Sequence, residues 1–153
     1  MKIADFLEEK AVTAELKSMD KDGVLKELTG LLADAGVIKD QEGMVKILLE
    51  REALGSTGIG NGIAIPHGKS EKIKKLTAAL GICREGMDFN SLDGELVYIF
   101  FLLIAPEQAP GPHLKALARI SRLLRDKFFR ERLKTASDVQ TILNIINEED
   151  QKN

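Results

Sequence analysis

The spacing of hydrophobic residues in the first third of the chain predicts two amphipathic helices. After Asp20, which can cap a helix, apolar residues recur at intervals of three and four positions, and Gly36 can end the helix in a left-handed conformation. A second helix is predicted to begin after Asp40 and to end at Gly55. The positions that these helices are expected to bury are Val24, Leu25, Leu28, Leu31, Leu32, Ala35, Met44, Ile47, Leu48 and Leu49.

Other stretches have the period or the composition of β-strands. Residues 11–16 alternate between polar and apolar side chains, and residues 63–65 form a short apolar run. Residues 76–83 are rich in small side chains and predict a closely packed strand, and 87–89 predict a further short one. Residues 96–104 are apolar at both alternating positions, which predicts a central strand covered by helices on both faces.

A proline-rich loop and two more helices are predicted to complete the chain. Pro112 suits the first position of a helix, and residues 137–140 have the pattern of a capping box that opens a last helix. The polar tail at 148–153 is predicted to fray. The inward positions expected in the first of these helices are Leu114, Leu117, Ile120, Leu124 and Phe128. The order of elements predicts an α/β fold, with a mixed β-sheet flanked by helices on both faces, in a single domain over residues 1–153.

Composition and charge narrow the functional classes. The chain has 22 Lys and Arg against 24 Asp and Glu, so the basic surface that nucleic acids require is not expected. The longest apolar run has nine residues, about half of a membrane span, and no signal peptide opens the chain, so we expect a cytoplasmic protein without membrane insertion. The single cysteine, Cys83, agrees with a reducing compartment and is predicted to be a small core residue.

Both histidines of the chain directly follow a proline. Pro66 precedes His67 and Pro112 precedes His113. Proline fixes φ and stiffens the backbone, as a site needs when its geometry must be held to about 0.5 Å. Imidazole, with a pKa of about 6.5, is an unprotonated nucleophile near neutral pH. The pattern favours His67 as a presented nucleophile, whereas His113 alone is equally compatible with an ordinary turn.

Residues 54–69 carry a resemblance to a known family. Their sequence is Leu-Gly-Ser-Thr-Gly-Ile-Gly-Asn-Gly-Ile-Ala-Ile-Pro-His-Gly-Lys. It resembles the active-site signature of the enzyme IIA domains of the bacterial phosphoenolpyruvate-dependent phosphotransferase system, in the fructose, mannitol and nitrogen-regulatory branch. The resemblance extends over nearly the whole chain and implies the same α/β architecture. It implies that Nε2 of His67 accepts a phosphoryl group from a histidine phosphocarrier protein, without a cofactor, while Nδ1–H binds a backbone carbonyl.

The resemblance also places further residues at the site. Arg51 and His113 are expected beside the phosphorylated histidine, where a guanidinium fork and an imidazole can donate to phosphoryl oxygens. From the residues alone, the favoured interpretation of Arg51 is an ordinary solvated cation at the carboxyl end of a helix, where it is favourable to the helix dipole. Five residues of the loop are expected to face the substrate or the partner: Gly60, Asn61, Gly62, Pro66 and Gly68.

The same residues can be compared with other kinds of functional site. The glycine spacing does not fit a dinucleotide fingerprint, and the Gly-Lys-Ser at 68–70 does not fit a P-loop, so an ATP site is rejected. A metal-dependent hydrolase that uses His67 and His113 is a distant alternative, because no third ligand is evident and no metal is expected. Among phosphocarriers, the signature and the free-standing chain favour a regulatory protein that binds target proteins. The other reading is a sugar-uptake component that passes the group to a cysteine of an enzyme IIB domain.

Overall fold

A mixed β-sheet of six strands forms the centre of the computed structural model, which describes residues 1–152. The strands are β1 Leu7–Thr13, β2 Gly58–Gly60, β3 Ile63–Ala64, β4 His67–Ser70, β5 Thr77–Met87 and β6 Val97–Pro106. Their order in the sheet is β1-β5-β6-β3-β2, and β4 also pairs with β6. Strand β6 is parallel to β3 and β4 and antiparallel to β5.

Helices cover both faces of this sheet. Ile99, Phe101 and Leu103 of β6 pack in one core with the C-terminal helices, and the alternate residues of β6 pack in a second core with the first two helices. The predicted α/β class, with a two-sided central strand, is therefore confirmed. The helices are α1 Lys21–Asp34, α2 Gln41–Ala53, α3 Pro110–Leu123, α4 Lys127–Thr135 and α5 Val139–Lys152, with a 3-10 turn at Ile3–Asp5. Within residues 1–152, no helix has both the length and the hydrophobicity needed to cross a bilayer.

The predicted starts of the first two helices, and the end of the first at Gly36, are confirmed, whereas the second ends at Ala53, before the predicted Gly55. The carboxylates of Asp20 and Asp40 accept hydrogen bonds from the N–H groups of Gly23 and Gly43, at 2.7 and 3.0 Å. Gly36 has a φ of 79°, the left-handed conformation that the end of α1 requires. These caps fix the first residues of α1 and α2 just before their hydrophobic positions begin. Local sequence therefore determines where both helices start.

Two predicted strands differ from the structure. The strand expected at 11–16 runs instead over Leu7–Thr13, at the edge of the sheet. Exposed charged side chains on an edge strand interrupt the apolar alternation that marks buried strands. The separate strand expected at 87–89 is wrong, because Met87 is the last residue of β5 and pairs with Val97 of β6. An irregularity in the pairing before Met87 carries β5 further than its sequence pattern indicates.

The helix predicted from Pro112 to Phe128 is two helices. Helix α3 begins at Pro110 and ends at Leu123, and Asp126 caps α4 by accepting from the N–H groups of Phe128 and Phe129. Leu114 and Phe128, expected to face inward, are 67% and 81% exposed. The break in the helix shifts the register of buried positions, so Phe129 is buried in place of Phe128.

The polar C-terminal segment is ordered rather than frayed. Helix α5 continues to Lys152, and the side chain of Asp150 is buried. Its carboxylate accepts from the N–H groups of Ile3 and Ala4, each at 3.0 Å, and pairs with Arg119 at 2.9 Å. The carboxylate of Asp150 is tolerated in the interior because these donors satisfy its charge. Asn153, the last residue of the predicted tail, lies outside the described residues.

Candidate active site

His67 opens strand β4 directly after a buried proline. It lies opposite Leu103 of β6 in the parallel register, and the carbonyl of Pro66 accepts from the N–H of Leu103 at 2.8 Å. The backbone on the N-terminal side of the imidazole is thus fixed both by the proline ring and by the sheet. The ring itself is half-buried, so one side remains open to a partner.

One ring nitrogen of His67 is already committed. Nδ1 lies 2.7 Å from the carbonyl oxygen of Ile65, two residues earlier. A carbonyl oxygen can only accept, so in the neutral ring Nδ1 carries the proton and Nε2 keeps its lone pair. The arrangement matches the tautomer expected from the resemblance, with Nε2 as the nucleophilic atom.

His113 lies beside His67. The two ring centroids are 5.5 Å apart and the ring planes are nearly perpendicular, at 85°. His113 is only 5% exposed, and its Nε2 is a buried nitrogen for which the described residues supply no hydrogen-bond partner. An unsatisfied buried polar group is costly, so this nitrogen is suited to donate to an anion that enters the site.

The first turn of α3 offers few backbone hydrogen-bond donors beside the side chain of His113. Helix starts usually offer several free N–H groups to an anion. Here Pro110 and Pro112 have no N–H, and the N–H of Ala109 is bound to the carbonyl of Pro106. The expected contribution of backbone donors is therefore reduced to the N–H of Gly111, and His113 must act through its side chain.

Arg51 approaches the site from the last turn of α2. It is half-buried, and its Nη1 donates to the carbonyl oxygen of Gly55 at 2.8 Å. Its positive charge is among the causes that lower the pKa of His67. The structure thus brings Arg51, His67 and His113 into one region, with the guanidinium anchored by one of its five donors.

Glu52, the neighbour of Arg51, is a buried residue that sequence reasoning missed. Its carboxylate pairs with Lys21 at 3.1 Å and accepts from the N–H of Thr57 at 3.1 Å and from the Thr57 hydroxyl. An acidic residue in the last turn of a helix opposes the helix dipole, and this was the available signal. Its burial indicates a specific partner rather than an ordinary surface charge.

The pKa of each active-site imidazole lies below its ordinary value of 6.5. Burial is the main cause for both rings; the charges of Arg51 and Lys69 add to it at His67, and those of His67 and Lys69 add to it at His113. The hydrogen bond from Nδ1 to Ile65 acts in the opposite direction at His67. Both rings are therefore neutral at pH 7, the state in which Nε2 of His67 is nucleophilic.

A pH titration followed by NMR is expected to show both ring midpoints below 6.5. In the unfolded chain these rings bind protons at a pKa of about 6.5, so the contribution of the two neutral rings to stability is complete above that pH. It falls as the pH is lowered through 6.5 and towards the folded-state pKa values. Urea unfolding above and below pH 6.5 measures this loss of stability. An NMR titration midpoint above 6.5 for either ring would contradict its lowered pKa.

The glycine-rich segment is a hairpin whose tip lies away from the imidazole. Gly60, Asn61 and Gly62 have φ values of 101°, 58° and 77°, as a tight Asn-Gly hairpin turn between β2 and β3 requires. Ile63 pairs with Ile99 of β6 whereas His67 pairs with Leu103, and four residues of strand correspond to about 13 Å. The predicted role of this tip in partner binding stays a prediction.

Gly68 has a packing role that its place beside the imidazole did not indicate. A Cβ there would lie 2.9 Å from Ile47 and 3.2 Å from Met44, both on α2. The glycine therefore lets α2 approach β4 closely, and this approach brings the end of α2 near His67. Nothing in this contact tests whether Gly68 also meets a partner.

The residues 1–152 contain no group of three His, Cys, Asp or Glu side chains placed to hold a metal ion. His67 and His113 thus lack the third protein ligand that a catalytic zinc requires. Cys83 is buried in β5, and burial raises the pKa of its thiol, which favours the unreactive protonated form. The donor set offers no support to the hydrolase alternative.

The chain is similar to known proteins both in sequence and in fold. A family model described as "Phosphoenolpyruvate-dependent sugar phosphotransferase system, EIIA 2" matches residues 5–149. A nitrogen regulatory protein of Bradyrhizobium diazoefficiens is 40% identical over 146 residues, 95% of each chain. The fructose-specific EIIABC component of Bacillus subtilis is 37% identical over 150 residues, which cover 98% of this chain and 24% of that one. The crystal structure of the nitrogen regulatory protein IIA-Ntr from Neisseria meningitidis matches with a TM-score of 0.87 and 32% identity, over 94% of this chain and 98% of that one.

Proposed function

The chain belongs to the EIIA 2 family of the phosphoenolpyruvate-dependent sugar phosphotransferase system, and from this membership we propose that it is a phosphocarrier that accepts a phosphoryl group on Nε2 of His67. The observation that carries the proposal is the hydrogen bond from Nδ1 of His67 to the carbonyl of Ile65. It leaves the lone pair of Nε2 free at the half-buried ring. Components of this family take part in phosphoryl transfer. In this proposal, the transferred phosphoryl group is assigned to the Nε2 atom of His67.

The proposed donor is a phosphohistidine of a histidine phosphocarrier protein. As the lone pair of Nε2 attacks phosphorus, the N–P bond of the donor breaks and its electron pair returns to the donor imidazole. No proton needs to leave His67, because the proton stays on Nδ1, where it is donated in a hydrogen bond to the carbonyl oxygen of Ile65. The charge spread over the three equatorial oxygens is stabilised by donors that are already in place, His113 and Arg51.

The proposed acceptor defines the biological branch. The identity of 40% with a nitrogen regulatory protein supports a regulatory role, in which target proteins respond to the phosphorylation state. The second candidate is sugar uptake, supported by 37% identity with a fructose-specific EIIABC component, and its acceptor would be a cysteine of an enzyme IIB domain. For either role we propose a cytoplasmic protein that is one domain over residues 1–153.

The test is a reconstituted phosphorylation. The protein is incubated with phosphoenolpyruvate and the two upstream phosphotransferase proteins, then analysed by mass spectrometry under alkaline conditions that preserve phosphohistidine. We expect a single phosphoryl adduct on His67, and none when phosphoenolpyruvate is omitted. Absence of the adduct together with tightly bound zinc would replace the proposal with the hydrolase. Addition of a purified fructose-type enzyme IIB then separates the branches, because rapid loss of the adduct to its cysteine supports sugar uptake.

Arg51→Lys is expected to slow phosphorylation of His67 although the positive charge is kept. Lysine cannot hold the carbonyl of Gly55 and offer a fork to phosphoryl oxygens at the same time. We expect a loss of roughly 10-fold, smaller than the ~100- to 1000-fold loss typical when a positioned donor is removed outright. The rate of labelling after rapid mixing with the phosphorylated carrier measures it.

Arg84→Lys is the matched control for that variant. Arg84 also donates to a backbone carbonyl, that of Ala136 at 2.9 Å, but it is not among the charges that act on His67. Its labelling rate should equal that of the wild type. Equal rates in both variants would return Arg51 to the role of a cation at the end of α2.

A further inference from the structure

Glu52 is a buried carboxylate that touches neither imidazole but is linked to His67 through a continuous series of hydrogen bonds. We propose that Glu52 is a positioning residue, which acts through Thr57 and Ile65 to fix the tautomer and the direction of the His67 ring. The inference deepens the proposed function and rests on it for the choice of His67 as acceptor. It assigns a role to a residue outside the predicted site.

The first link joins α2 to the segment that follows it. The two oxygens of Glu52 accept from the N–H and the hydroxyl of Thr57, and Thr57 is itself 3% exposed. One residue earlier, Arg51 donates to the carbonyl of Gly55. Two adjacent side chains on the last turn of α2 therefore hold the backbone at 55 and at 57, and the chain between them has little freedom to shift.

The second link joins Thr57 to the imidazole. The carbonyl of Thr57 accepts from the N–H of Ile65 at 3.0 Å, and the carbonyl of Ile65 in turn lies 2.7 Å from Nδ1 of His67. On the far side of Ile65, the carbonyl of Pro66 is held by the N–H of Leu103. The orientation of the Ile65 carbonyl thus depends on two anchors, the sheet at Pro66 and the Glu52–Thr57 pair.

The series requires a side chain with two acceptor oxygens at position 52. Among the described residues, the three groups that hydrogen-bond to Glu52 are all donors: the ammonium of Lys21, the N–H of Thr57 and its hydroxyl. Glutamine has nearly the same shape but replaces one acceptor oxygen with an NH₂ group, which would face one of these donors. Because Lys21 and Glu52 are both largely buried, the ammonium would also lose its counter-charge.

Glu52→Gln is expected to change His67 itself, in the protein before any phosphorylation. Ring ¹⁵N chemical shifts should report the Nδ1–H tautomer in the wild type and a mixture of tautomers in the variant. The charge of Glu52 and the Ile65 hydrogen bond both raise the pKa of His67, so the titration midpoint of the ring should fall in the variant. Phosphorylation by the carrier should slow by about 10- to 100-fold, the scale of displacing a reacting group by about 1 Å.

Asp150→Asn is the matched control. Asp150 is likewise buried, accepts from two backbone N–H groups and pairs with a cation, Arg119, but it holds the N-terminal turn instead of the segment that leads to His67. It should lower stability against urea to a similar degree while the His67 tautomer and midpoint stay as in the wild type. An equal change at His67 in both variants would reduce Glu52 to a general contributor to stability and overturn the proposal.

A second pair of variants keeps the test decisive if Glu52→Gln does not fold. Thr57→Val removes the hydroxyl that donates to Glu52, and Thr57→Ser retains it. We expect the valine variant to show a smaller version of the same tautomer change and slower phosphorylation, and the serine variant to restore both. Unchanged tautomer and rate in Thr57→Val would refute the positioning role. A wild-type protein that is not labelled at His67 would refute the proposed function instead, and the tautomer comparison would still decide the role of Glu52.

Discussion

His67→Ala is expected to fold and to accept no phosphoryl group from the phosphorylated carrier. Alanine has no nitrogen lone pair, and the neighbouring imidazole of His113 is buried within the first turns of α3. A partner that delivers phosphorus to the open side of His67 therefore finds no substitute nucleophile. Mass spectrometry under alkaline conditions should show the unmodified mass under conditions that label the wild type fully.

The fold of this variant is expected to survive because little of the core depends on the ring. The imidazole is half-buried and makes one hydrogen bond, to the carbonyl of Ile65, with a net value of about 0.5–1.5 kcal/mol. Urea unfolding should show a loss of that order with an unchanged m-value. Full labelling of the folded variant would show that the acceptor is elsewhere and would overturn the assignment of His67.

Sequence predicted the centre of the fold because burial on two faces leaves a simple pattern. Strand β6 is apolar at consecutive positions, and the structure places its alternate side chains in separate cores. The caps at Asp20 and Asp40 were equally readable, since the acceptor and the N–H group that it binds are three residues apart. Features that depend on neighbours in sequence, or on a continuous apolar environment, can be predicted without tertiary information.

The C-terminal half was predicted less well because its determinants are distant in sequence. Asp150 is buried only because Arg119 and the N–H groups of Ile3 and Ala4 meet it in space. A polar tail and a polar buried cluster have the same composition, so local reasoning assigned this segment to fraying. The break between α3 and α4 was missed for a related reason, since Phe128 and Phe129 are adjacent and either satisfied the helical spacing.

At the site, sequence indicated the imidazoles but not what holds them. The prolines before His67 and His113 marked both rings, and the structure brings them to 5.5 Å. The burial of Glu52 was hard to predict from sequence, because its partners are Thr57, five residues away, and Lys21, at the start of α1. The glycine loop was predicted to face a partner, and the structure accounts for its positive φ values by the turn between β2 and β3, while its role in partner binding stays a prediction.

His113→Ala is expected to be phosphorylated on His67 but to exchange the group much more slowly. In the unphosphorylated protein, Nε2 of His113 is buried and without a hydrogen-bond partner among the described residues, at a ring 5.5 Å from His67. A phosphoryl group on His67 would provide the missing acceptor, so the interaction forms as negative charge enters the site. The negative charge on the transferring oxygens meets this donor in the transition state, and an interaction that is stronger there than in either ground state accelerates transfer in both directions.

The expected loss in transfer rate is about 100- to 1000-fold, the range for removal of one positioned donor. Prolines in the first turn of α3 leave few backbone donors to compensate, which favours the upper part of that range. Rapid quench of the reaction with the phosphorylated carrier measures the rate, and His113→Gln should recover part of it, since its amide can also donate. Because His113 is buried, the glutamine variant also controls for a cavity that the alanine would leave. Wild-type rates in His113→Ala would show that the second ring does no chemistry, and phosphate on His113 itself would reverse the roles assigned to the two histidines.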